Sequence, residues 1–188
     1  MRCRLTLLTA ARSSPLLDAR FDDDRPLDHA GWQEIHHRAP VLHGLAAAGL
    51  RYRSPTERCR ETGHALGLAP LAQPALRDCD MGRWRGRTLR EVAAAEPEAF
   101  DAWLADPRAA PHGGETLTGF ITRIGGWLDT RPLEEDGWMM AVAEPAVVRA
   151  ALCYALRVPP DTYWRIDAHA LATVTLTGSP RNWCLSCD

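Results

Sequence analysis

At 188 residues and 46% hydrophobic content, the chain is long enough to bury a sizeable core and has ordinary globular composition. Its net charge of −2 comes from interspersed acids and bases, which leaves no basic stripe for nucleic acid and no polybasic patch for a membrane surface. All 22 basic residues are arginine, so a lysine Schiff base, a pyridoxal anchor and a phosphate-loop lysine are excluded.

Leu5 to Thr9 reads as a buried strand. The apolar run from Leu5 to Ala11 is stopped by Arg12, too early for a secretory h-region and cleavage site, and no stretch approaches a membrane span. A cytoplasmic protein is therefore expected, its six cysteines mostly reduced. His29 to Ala48 reads as a helix capped by Asp28, kinked near Pro40 and ended by Gly49. A short strand, Leu50 to Arg53, and a helix, Thr56 to Leu66, follow. Thr88 to Ala95 and Glu98 to Ala105 read as a helical pair broken at Pro97. Thr116 to Thr130 places Leu117, Phe120, Ile121, Ile124 and Leu128 at helical spacing. Strand Met139 to Ala143 leads into helix Pro145 to Leu156, where proline suits the first turn. Leu171 to Thr177 and Asn182 to Cys187 read as a closing hairpin. This alternation predicts an α/β fold, a three-layer α/β/α arrangement with a mostly parallel central sheet. One domain over residues 1–188 is expected, with a small cap or insert around 85–115.

Several segments also carry a resemblance. They are Leu5–Leu8, Phe21–Asp28, Ser54–Thr62, Leu76–Gly86, His112–Leu117 and Met140–Ala150, in that order. Together they resemble the phosphoglycerate mutase-like branch of the histidine phosphatase superfamily, whose fold agrees with the alternation above. The pattern also looks like small bacterial members acting on sugar phosphates or α-ribazole phosphate. The resemblance implies one histidine that attacks phosphorus, with a second histidine and two arginines binding the phosphoryl oxygens. On this sequence the first arginine falls on Thr9, the nucleophile on Ala10, the second arginine on Arg58 and the second histidine on Glu144. Both active-site histidines would then be missing.

A methyl group cannot attack phosphorus. A carboxylate about 4 Å from another negative charge is repelled by about 4 kcal/mol at an effective dielectric near 20. Glu144 and Arg58 are expected to pair instead, in a bidentate contact across the old pocket. The joint substitutions at Thr9, Ala10 and Glu144 read as divergence rather than as a single engineered trap.

Around that pocket, Arg12 either restores a phosphate contact as a ligand-binding residue, or is a solvated loop arginine or pairs with Asp22 to Asp24. Asp78 stands where the resemblance implies an acid, and otherwise serves as a structural hydrogen-bonding group. Glu115 caps its helix or touches a ligand. His112 and His169 sit in loops that could face the pocket. Cys184 and Cys187 form a lone Cys-x-x-Cys whose side chains alternate to opposite faces, so no metal is expected, nor any cofactor.

Three functions follow from this reading. The first is a pseudophosphatase that binds a small molecule or a protein partner. The second is a repurposed enzyme with Glu144 as general acid or base on a non-phosphorylated substrate, and least favoured by the residues is the third, residual phosphomonoester hydrolysis. A homodimer stays open, and neither nucleic acid nor membrane is an expected partner.

Overall fold

Strand β1, Cys3–Thr9, is apolar at most positions because it lies between two other strands and is covered on both faces. The computed structural model describes residues 3–13, 20–21, 24–132 and 137–186. The other strands are β2 (Leu50–Arg53), β3 (Leu71–Ala72), β4 (Trp138–Ala143), β5 (Thr173–Ser179) and β6 (Asn182–Ser186). They form one sheet in the order β3-β2-β4-β1-β5-β6. Pairs β3/β2, β2/β4 and β4/β1 are parallel, whereas β1/β5 and β5/β6 are antiparallel. The expected α/β fold with a mostly parallel sheet is present.

Alternation along the strands divides the core. Leu5, Leu7, Met139 and Ala141 face α5 (Leu117–Asp129) and α6 (Pro145–Ala155). Leu8, Met140 and Val142 belong to the opposite cluster, against α1 (His29–Leu42) and α2 (Glu57–Ala65). A smaller aromatic cluster gathers Met81, Trp84, Val92 and Trp103, contributed in part by α3 (Leu89–Ala95) and α4 (Pro97–Ala105). Trp84 and Trp103 meet edge to face there, ring centres 5.8 Å apart.

Helix starts follow their capping residues. The Asp28 carboxylate accepts from Gly31 N at 2.6 Å, Thr88 forms a reciprocal capping box with Glu91, and Thr116 accepts from Gly119 N. Pro97 and Pro145 open α4 and α6, so α4 begins one residue before the expected Glu98. The first helix departs further from expectation. It runs through Pro40 to Leu42 and then tightens into a 3-10 turn, His43–Ala47, instead of continuing as α-helix to Ala48. Strand β3 and the 3-10 turns at Pro74–Leu76, Gly82–Trp84 and Pro160–Arg165 are too short to print a period on the sequence. Among the described residues, no helix is long and apolar enough to cross a membrane.

Candidate functional site

The parallel strands β1, β2 and β4 end at one edge of the sheet. Thr9 stands opposite Ala143, and Arg53 opposite Val142. Beyond those pairs, Ala10 N donates to Ala143 O at 2.9 Å and Ser54 N to Val142 O at 2.8 Å. Ala10, Ser54 and Glu144 therefore leave three neighbouring strands together, at the edge where open α/β sheets form their ligand crevices.

Glu144 occupies the N-cap position of α6 and Thr56 that of α2, yet neither side chain caps its own helix. They meet each other. Thr56 Oγ1 donates to Glu144 Oε1 at 2.5 Å, Cys59 Sγ to the same oxygen at 3.5 Å, and Arg58 Nε to Oε2 at 2.6 Å. The expected Arg58–Glu144 pair is thus present. Its geometry differs from the expected fork, because Oε1 takes its hydrogen bonds from Thr56 and Cys59. Arg58 Nη1 donates to Ser13 Oγ at 2.8 Å, which leads the guanidinium away from a second contact through that nitrogen. Glu144 is 1% exposed, so its oxygens find their hydrogen bonds in these donors rather than in water.

Close neighbours share that burial. Ala10 is buried and offers only a methyl group. Thr9 Oγ1 and Ser54 Oγ are buried without a hydrogen-bond partner among the described residues. Burial, and then the Glu144 carboxylate, push the Cys59 thiol well above its ordinary range, which keeps it neutral and a poor nucleophile.

Asp78 lies close by. With Thr56, Arg77 and Arg85 it lines a cleft of about 330 Å³, and its Oδ1 accepts from Cys79 N at 2.7 Å. The remaining sequence candidates are used elsewhere. Arg12 turns toward Glu34 at 3.7 Å; of its expected partners, Asp22 and Asp23 lie outside the described residues. Glu115 is not the cap of α5, a role taken by Thr116; its two oxygens hold Arg123 at 2.9 and 2.7 Å. His112 belongs to the aromatic cluster. It is buried against Trp84, with ring centres 5.1 Å apart, and its Nδ1 accepts from Gly114 N. Burial lowers its pKa from the ordinary histidine value. His169 is exposed beside Asp167 at 3.1 Å. Cys184 is exposed, and Cys187 lies outside the described residues. Thr56 and Cys59 were not singled out as site residues from the sequence. The signal for Thr56 was its N-cap position, which points to capping when read alone.

A three-layer fold with its crevice at the ends of β1, β2 and β4 defines the class. Residues 18–186 match the model of the histidine phosphatase superfamily, branch 1, and the chain belongs to that superfamily. Glucosyl-3-phosphoglycerate phosphatase of Mycolicibacterium vanbaalenii is 35% identical over 127 residues, covering 65% of this chain and 52% of that protein. Phosphoserine phosphatase 1 of Hydrogenobacter thermophilus is 28% identical over 119 residues, covering 60% and 56%. The structure of a mycobacterial glucosyl-3-phosphoglycerate phosphatase complexed with VO3 superposes with a TM-score of 0.79 at 25% identity, covering 97% of this chain and 96% of that one. The chain spans about a quarter to a little over half of the length of the curated relatives it matches.

Proposed function

We propose that this chain is a catalytically silent member of its superfamily, a pseudophosphatase whose remaining role is to bind a small molecule. Ala10 and Glu144 stand where the resemblance implies the two histidines, and Thr9 where it implies an arginine. The observation that carries the reading is the fixed cluster of Glu144 with Arg58, Thr56 and Cys59. A cation that would bind phosphate is held by a carboxylate, and no methyl group supplies a nucleophile.

The repurposed-enzyme reading has less support. A general acid or base needs an oxygen within hydrogen-bond reach of substrate. Both oxygens of Glu144 are engaged by protein donors, and the residue is 1% exposed.

The test is phosphatase activity on a generic phosphomonoester from pH 4 to 9, for the unaltered chain and for the triple variant Thr9→Arg, Ala10→His, Glu144→His. The expected result is no turnover by the unaltered chain and measurable turnover by the triple variant. Hydrolysis by the unaltered chain that Arg58→Ala abolishes would overturn the proposal.

A further inference from the structure

Asp78 also lines a second cavity, of about 200 Å³, whose character is different. Its walls include the rings of Phe21, Trp103, Phe120, Tyr163 and Trp164. Trp164 meets Trp103 edge to face at 4.8 Å and Tyr163 at 4.9 Å, so the rings support one another. Two arginines, Arg20 and Arg149, join this aromatic lining. The Nε of each is buried with no hydrogen-bond acceptor among the described residues. A buried N–H that lacks an acceptor costs free energy, so each guanidinium gains by turning toward an acceptor that enters the cavity. Arg20 is partly committed, since its Nη1 donates to Gly86 O at 2.8 Å and faces Glu91 at 3.4 Å. Arg149 lies over the Tyr163 ring, 5.8 Å from its centre.

We propose that this cavity binds a small aromatic carboxylate, its ring among Trp103, Phe120 and Trp164 and its carboxylate on Arg149. The assignment rests on the small-molecule-binding reading above and names its ligand class. Size fits a single ring, since an apolar cavity of about 150 Å³ accommodates benzene. Two arginines against one aspartate leave the lining net positive and suit an anion, and the aromatic walls favour one that carries a ring over inorganic phosphate, which has no apolar surface to bury.

The experiment titrates the full chain with benzoate, followed by calorimetry and tryptophan fluorescence, with benzyl alcohol and inorganic phosphate as controls. Saturable benzoate binding is expected, at least about tenfold tighter than benzyl alcohol, with no competition from phosphate. Arg149→Met should abolish that preference, and Trp164→Ala should weaken both aromatic ligands. Absent benzoate saturation, equal binding of benzyl alcohol, competition by phosphate, or an Arg149→Met variant that keeps the preference would each overturn the proposal. The benzoate and benzyl alcohol comparison on the unaltered chain decides the matter even if a variant fails to fold. A chain that is silent toward phosphomonoesters and ignores benzoate loses only this ligand class. One that hydrolyses phosphomonoesters loses the silent reading, and its benzoate titration is scored separately.

Discussion

At the residue scale, Glu144 shows how a buried acidic side chain can be kept at the edge of a parallel sheet. Its donors come from one short stretch, Thr56, Arg58 and Cys59, that begins α2. Removing one partner of a buried pair leaves the other desolvated, which costs about 3–5 kcal/mol, whereas replacing both with apolar groups costs far less. Arg58 keeps 13% of its side chain exposed, which places its loss at the lower end. Arg58→Met should therefore destabilise the protein by about 3 kcal/mol in urea unfolding. The Arg58→Met, Glu144→Leu double variant should cost clearly less than the sum of the two single changes. Additivity within about 0.5 kcal/mol would mean that the two residues are not coupled.

At the element scale, the packing of α5 on α6 turns on one glycine. A Cβ at Gly125 would lie 2.1 Å from the Tyr154 ring, while one at the neighbouring Gly126 meets nothing within 4 Å. Tyr154 cannot easily withdraw, because its hydroxyl donates to Asp129 at 2.6 Å, and Asp129 also accepts from Arg181 N and Trp183 Nε1. Gly125→Ala should lower stability by about 1–3 kcal/mol through overpacking. Gly126→Ala should raise it by up to about 1 kcal/mol through helix propensity. Thermal melting of the two variants checks both signs.

At the scale of the whole molecule, pH acts on the aromatic cluster through His112. Its lowered pKa means that the unfolded chain takes up a proton more readily than the folded one. The stability contributed by the neutral ring is therefore complete above the ordinary histidine value, about 6.5, and is lost as pH falls through the folded value. Glu96 behaves differently, since Arg83 first, with Trp84 and Arg87, holds its carboxyl down to about 2. Its contribution persists until pH falls below the ordinary carboxylate range. Between pH 7 and 5, the urea midpoint should fall, and His112→Asn should flatten that slope while its amide oxygen still accepts from Gly114 N. An unchanged slope would assign the pH dependence to other groups.

The sequence by itself determined the strands and helices that obey local rules. Apolar continuity marked β1 and β4, and Asp28, Pro145 and the spacing of Leu117, Phe120 and Ile124 marked helices, because capping and periodicity act within a turn or two. The family resemblance, and no local pattern, placed Arg58 against Glu144, 86 positions away. Only the tertiary structure decided that Thr56 serves Glu144 instead of capping α2, that Glu115 holds Arg123, and that His112 fills an aromatic core. It alone brought Phe21, Trp103, Phe120, Arg149 and Trp164 around one cavity. Those partners are distant along the chain, and a side chain able to cap, pair or pack takes the role that the order of strands puts within reach.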